Sequence, residues 1–212
     1  MFYGCGSLTT IYATRTFTVD HLSDSRSVTV FYGCWNLVGG AGTPHSSGQY
    51  DLKFARLDRP DALGYFSQKP GGVHDYLFVD GATGSDANEG HRSDCAKATI
   101  QAAADAVAAD GDVYVAGGTY APFAVPTGKS VTVKGRGACA TAIDGGDCAP
   151  CATLGTSTLT GFTLRRGRAG ASQGAAASGG TVRNCVIRDC TGSVAGAASG
   201  CLGSVVENTL CF

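Results

Sequence analysis

The 212-residue chain has one methionine, one tryptophan and almost no excess of either charge, with 16 basic against 17 acidic residues for a net charge of −1. So balanced a surface offers no field to gather a polyanion, and neither nucleic acid nor an anionic membrane surface is expected as a partner. No apolar run approaches the roughly 18 residues of a membrane-spanning helix, so no membrane span is expected. The opening MFYGCGSLTTIYATRTF lacks the basic start and long apolar core of a signal peptide, so export would need a signal outside this chain. What is abundant is glycine, 32 residues, with many Ala, Ser and Thr. This mixture favours strands and tight turns over large helices and predicts a mainly β protein.

Ten cysteines are too few in a chain of this length for a small disulfide scaffold. Cys148 and Cys151 form the one CxxC, where a zinc ribbon wants two such pairs. The residues after Cys151, ATLGTSTLTGF, do not read as the helix that a thioredoxin-like motif requires. The cysteines therefore read first as small buried hydrophobes, then as disulfides, and last as metal ligands. Cys185 and Cys190 are the other close pair.

Self-similarity organises the N-terminal third. MFYGCGSLTTI at residues 1–11 returns as VFYGCWNLVGG at 30–40, with Cys5 to Cys34 and Leu8 to Leu37 both 29 residues apart. Phe2, Cys5, Leu8 and Ile11 can point into a stack that Phe31, Cys34 and Leu37 cover. These residues, with the following LVGGAGT, the AR-D stretch and GYF, resemble the BspA-like leucine-rich repeats of bacterial surface proteins. The resemblance covers residues 1–69 and implies the end of such an array. His21 and His45 lie in Ser-, Asp- and Gly-rich stretches and read as solvated loop histidines. Lys69-Pro70-Gly71-Gly72 breaks regular structure, and residues 70–75 are read as a linker.

The third segment, 76–212, opens with the apolar run Tyr76-Leu77-Phe78-Val79 and a turn-rich loop, Asp80 to Asp94. Thr99 can cap a helix over about 99–110, with Ile100, Ala103, Ala104 and Val107 forming one apolar stripe. Asp110-Gly111 then supplies a left-handed stop. Short alternating strands follow at Asp112–Ala116 and Ser130–Gly135. One helix before strands at irregular spacing suits a solenoid plugged at its open end better than a doubly wound sheet.

The run from YLFVDGATGSDANEG through KATIQAAADAVAADGDVYVAGGTY to KSVTVKGRG and AIDGG resembles the N-terminal capping region of right-handed parallel β-helix proteins of the pectate lyase-like superfamily. That resemblance implies a scaffold used by lyases, glycosidases, phage spikes and adhesins alike, so it does not fix function. Downstream, LTGFTLRRG, VRNCVIRDC and VENTLCF align with Gly161, Asn184 and Asn208 in register, 23 and then 24 residues apart. Phe162 and Leu164, Cys185 and Ile187, and Thr209 and Cys211 are expected to stack from coil to coil. The links GAAASGG (174–180) and GAASGCLG (196–203) read as tight corners or as flexible loops. With a unit opening at Met1 and a strand ending at Phe212, the chain reads as a piece of a longer polypeptide with further domains.

Tests for chemistry are negative. Asp86, Asn88 and Glu89 lack the later acidic ligand of a helix-loop-helix calcium loop and read as turn formers. Asp144 and Asp147 are the nearest approach to a glycosidase carboxylate pair but sit in a Gly-rich turn. Arg165, Arg166 and Arg168 read as a solvated edge able to contact an acidic glycan. No Ser-His-Asp arrangement has supporting spacing, and Gly117-Gly118 does not lead into a helix as a phosphate loop would. No catalytic, cofactor-binding or metal residue is assigned, and no cofactor is expected. The expected function is a non-enzymatic adhesion module, extracellular or at the cell surface, for a glycan or host surface protein. The alternative is a polysaccharide lyase or glycoside hydrolase whose active coils lie beyond residue 212.

Overall fold

In the computed structural model, which describes residues 2–14, 16, 17, 19, 28–170, 174–192, 201, 202 and 204–211, the FYGC repeat becomes one layer laid on another. The Gly4 N–H donates to Tyr32 O at 2.7 Å and the Phe2 N–H to Val30 O at 3.1 Å. Phe2 lies parallel to Phe31 with centroids 5.7 Å apart. The turn needs glycine at both levels: Gly4 and Gly33 have φ of 74° and 79°, and a Cβ on Gly33 would stand 3.0 Å from Gly4 Cα. The chain divides into two compact units, Met1–Gly72 with His91–Asp94, and Val73–Gly90 with Cys95–Phe212. His21, Phe212 and most of the 196–203 link lie outside the described residues.

In the first unit, β1 (Ile11–Ala13) and β2 (Phe66–Gln68) pair in parallel. Phe31, Cys34, Leu37, Phe54, Tyr65 and Phe66 are buried together. One buried carboxylate organises the segment after the second repeat. Asp58 accepts from the backbone N–H groups of Ala41 (2.9 Å), Thr43 (3.0 Å) and Gly64 (3.0 Å), and from the Thr43 hydroxyl (2.7 Å). LVGGAGT, AR-D and GYF are thus a single hydrogen-bonded knot. Its glycines are packing necessities, since a Cβ on Gly39 would lie 2.4 Å from Asp58 Oδ2 and one on Gly64 2.3 Å from Arg56 O.

The second unit is a β-solenoid of about four turns with one α-helix. Its strands are β3 (Tyr76–Val79), β4 (Asp112–Val115), β5 (Gly118–Tyr120), β6 (Phe123–Ala124), β7 (Thr132–Gly135), β8 (Thr141–Asp144), β9 (Ala152–Thr160), β10 (Thr163–Arg165) and β11 (Arg168–Ala169). They continue as β12 (Ala177–Arg183), β13 (Val186–Arg188), β14 (Thr191–Gly192), β15 (Cys201–Leu202), β16 (Val205–Glu207) and β17 (Leu210–Cys211). Every pair among them is parallel. One sheet stacks Leu77, Val113, Val133, Leu159, Val182 and Val206 in register. A second stacks Tyr120, Ile143, Leu164, Ile187 and Cys211. Up to Val182 and Ile187 these two ladders form the spine of the core, with the interior otherwise filled by Phe162, Leu154 and Cys185, while Val206 and Cys211 at their ends are exposed.

Gly161, Asn184 and Asn208 occupy the same corner of successive coils with φ of 78°, 49° and 45°, and Asn208 Nδ2 donates to Asn184 Oδ1 at 2.6 Å. Asparagine is among the few side-chain-bearing residues that adopt this left-handed backbone readily. The GAAASGG link is not a flexible loop: its alanines pair as strand, and the chain bends at Gly179 and Gly180, whose φ of 73° and 67° shift the register of β12 against β9. Ala175, Ala176 and Ala177 are buried, and β12 begins inside it, because Cys151 N–H and Ala152 N–H donate to Ala175 O and Ala176 O. Glycine is needed there both for the left-handed backbone of Gly179 and Gly180 and for contact, since a Cβ on Gly180 would stand 2.3 Å from Ser157 O.

Helix α1 spans Ile100–Ala106, shorter than 99–110. Thr99 caps it, its hydroxyl accepting from Ala102 N–H at 3.1 Å. The stripe Ile100, Ala103, Ala104 and Val107 is buried, with Ile100, Ala103 and Val107 against Leu77 and Val113. Its end is set from outside. Lys129 Nζ donates to the carbonyls of Ala104 (2.9 Å), Asp105 (2.7 Å) and Val107 (2.7 Å), satisfying orphan acceptors at the negative end of the helix dipole. Val107 has already turned extended (ψ 156°). Gly111 is not a left-handed stop; it is glycine because a Cβ would lie 2.6 Å from Asp75 O. No helix among the described residues is long and apolar enough to cross a membrane.

Candidate functional site: an exposed aromatic row

Each FYGC unit sends adjacent aromatics to opposite sides. Phe31 is fully buried, whereas the next residue in each unit faces solvent, Tyr3 at 64% and Tyr32 at 42% exposure. Stacking of the units therefore stacks the tyrosines as well, with Tyr3 and Tyr32 centroids 5.3 Å apart and planes 21° from parallel. Trp35, 61% exposed, extends the row, set edge-on to Tyr32 at 5.9 Å. Tyr50 stands edge-on behind Tyr32 at 5.6 Å and His45 edge-on to Trp35 at 5.4 Å.

The row is held, not dangling. His45 Nε2 is hydrogen-bonded to Phe31 O at 2.9 Å and its ring stacks on Tyr65, so this histidine is a half-buried support for Trp35 rather than the solvated loop residue expected. Tyr65 in turn donates its hydroxyl to Gln49 O at 2.6 Å, and burial pushes that phenol above its ordinary value. Rings fixed in advance lose little freedom when something stacks on them. Three exposed aromatics in contact also exceed the scattered surface hydrophobes every protein carries.

The acidic candidates are occupied. Asp86 accepts from Ala98 N–H, Thr99 N–H and the Thr99 hydroxyl at 2.9–3.0 Å, which lowers its pKa and ties the loop to the start of α1. Where a bound cation would gather loop carbonyls, Lys97 Nζ donates to Asp86 O (3.2 Å) and Asn88 O (2.7 Å). Glu89 lies 3.8 Å from His74, which is buried. Asp80 likewise serves a turn, accepting from Ala82 N–H and Thr83.

Asp144 and Asp147 are not brought together as a catalytic pair. Asp144 takes Arg166 through both oxygens (2.9 and 2.7 Å) and Arg165 at 3.0 Å, and these cations hold its carboxyl down to about 2. A group so acidic is no proton donor at neutral pH. Asp147 turns a corner with φ 60°. Arg165 and Arg166 pair with Asp144, yet Arg166 and Arg168 remain exposed, so the basic group does lie at a solvated edge.

Composition and spacing single out Phe, Cys and Leu, the residues that recur inward, rather than the aromatic row. Its signal was present: a Tyr beside the inward Phe in each repeat must point outward. The arrangement offers no nucleophile and no acid–base pair. It offers ring faces, which attract the C–H bonds of a flat apolar surface. Comparison with known protein families, with curated proteins and with solved structures finds no match to this chain.

Proposed function

We propose that the chain is a non-enzymatic glycan-binding module of a secreted or cell-surface bacterial solenoid protein, with Tyr3, Tyr32 and Trp35 as its contact surface. The observation that carries this reading is the preformed, solvent-facing ring stack. Sugar rings present C–H faces that stack on aromatic faces while their hydroxyls stay hydrated, so an uncharged aromatic row suits them. Consistent with that reading, the first unit belongs with BspA-like leucine-rich repeats, on the order and stacking of its FYGC units. The second belongs with pectate lyase-like β-helices and is right-handed, as parallel crossover connections within one sheet almost always are. Its helix α1 serves as the cap, supported by the burial of its apolar stripe against Leu77 and Val113.

A glycan array probed with the intact chain, and with Tyr32→Ala and Trp35→Ala, tests the reading. Loss of one stacked ring is expected to weaken binding about tenfold. Undiminished binding by both variants, or retention of proteins but no glycan, would remove the proposal.

A further inference from the structure

The register of the FYGC layers sets two phenols side by side in water. Phe2 and Gly4, the neighbours of Tyr3, donate their N–H groups to Val30 O and Tyr32 O, so the Tyr3 backbone is pinned over the next layer from both sides. The layers meet closely there, since a Cβ on Gly33 would stand 3.0 Å from Gly4 Cα. The two tyrosine rings that leave these positions are both exposed, with centroids 5.3 Å apart and planes 21° from parallel. Other touching tyrosines lack one of these properties. Tyr50 turns an edge to Tyr32, with planes 84° apart. Tyr76 and Tyr114 also meet edge to face, at 77°, and both are buried away from any reagent in solution. Stacking matters for one reaction in particular. When a phenol loses an electron and its hydroxyl proton, the unpaired spin spreads from the oxygen onto the two neighbouring ring carbons, the Cε positions, and a second phenoxyl radical in contact can couple to it there.

We propose that Tyr3 and Tyr32 are a site of oxidative cross-linking, joined as a dityrosine that ties the two repeat layers together on their outer face. The oxidant is hydrogen peroxide acting through a haem peroxidase. Each phenol gives one electron to the peroxidase and its hydroxyl proton to water. One Cε of Tyr3 and one Cε of Tyr32 then form a C–C bond. Each of these carbons releases its hydrogen as a proton and each oxygen takes a proton back, which restores both phenols. Two ring C–H bonds are lost, one C–C bond forms, and one peroxide is reduced to two waters. Because the partner ring is already in contact, the two radicals meet without diffusing, and coupling within one chain outruns coupling between chains in dilute solution. The coupling depends on ring placement alone and needs no bound ligand. It closes a loop between residues 29 apart, which removes freedom from the unfolded chain and so favours the stacked layers.

Peptide mapping of the peroxidase-treated chain tests this directly. The intact chain is treated in dilute solution with hydrogen peroxide and a haem peroxidase, and the monomer is isolated by gel filtration. Its cysteines are reduced and alkylated before trypsin is added, so that no disulfide holds peptides together. Tyr3 falls in peptide 1–15 and Tyr32 in peptide 27–53. The two are expected to run as one species, lighter than their sum by two hydrogen atoms and carrying the blue fluorescence of dityrosine, with fragmentation placing the link between residues 3 and 32. Tyr3→Phe and Tyr32→Phe each abolish the linked species. Tyr12→Phe and Tyr50→Phe, which remove the other phenols of the same two peptides, keep it. Separate peptides in the treated monomer, or a link that survives Tyr3→Phe or Tyr32→Phe, would overturn the assignment.

Discussion

Replacement of Asp58 by alanine isolates the knot that holds the first unit together. The carboxylate is fully buried and takes four hydrogen bonds, three from backbone N–H groups and one from a hydroxyl, all between 2.7 and 3.0 Å. Alanine leaves the N–H groups of Ala41, Thr43 and Gly64 without their acceptor. An unsatisfied buried donor costs about 1–3 kcal/mol, and partial rearrangement makes the costs less than additive. The expected loss is about 3–5 kcal/mol, a large part of the 5–15 kcal/mol typical of a whole domain. Asp58→Asn keeps the volume and one oxygen but turns an amide N–H₂ toward two donors, for about 2–3 kcal/mol. The assay is urea unfolding followed by Trp35 fluorescence. As the sole tryptophan, Trp35 reports on this unit, and its contact with His45 changes when the unit opens. A loss below about 1 kcal/mol for alanine would refute the reasoning, since no single buried donor could then have been orphaned.

Other perturbations read other parts of the fold. Lys129→Met strips α1 of its three-carbonyl cap and is expected to cost about 1–3 kcal/mol in thermal or urea unfolding. Val107→Asp forces an unpaired charge into the helix–coil contact and should abolish the cooperative unfolding of the second unit by circular dichroism. At the left-handed corner, Asn184→Gly should be tolerated, while Asn184→Val should cost about 1–2 kcal/mol because a β-branched residue resists φ of 49°. Asp144 has its folded pKa lowered to about 2, so its ion pair with Arg165 and Arg166 stabilises above the ordinary carboxyl value and is lost as pH falls through the folded one. The melting temperatures of the wild type and Asp144→Asn should differ at pH 6 and converge between pH 4 and pH 2.

Periodic features of this protein were readable from its residues, and long-range ones were not. The FYGC repeat predicted stacked layers because identical residues 29 apart can only satisfy one another across a register, and Phe2 does lie on Phe31. Gly161, Asn184 and Asn208 marked one corner for the same reason. The end of α1 was misjudged by several residues because its terminator, Lys129, arrives from beyond β6 and leaves no local trace. Asp58 stood in the sequence only as the acid of the AR-D stretch, and its role was not legible because its donors lie as far as 17 residues away. The GAAASGG link read as tight corner or loose loop because small residues serve both, and only the neighbouring coil at Ser157 shows that its left-handed glycines bend inside a packed strand. Of the candidate site, the exposed tyrosines follow from alternation within the repeat, but the support of Trp35 by His45 requires the fold.

The central claim is binding without catalysis, and incubation of the purified chain with pectin and with alginate tests it most directly. Ultraviolet absorbance of the supernatant reports any unsaturated sugar ends released by lyase cleavage, and reducing-end assay reports hydrolysis. The account predicts that neither signal rises above buffer while Trp35 fluorescence still responds to a bound glycan. Release of unsaturated products that grows with the amount of protein would contradict it.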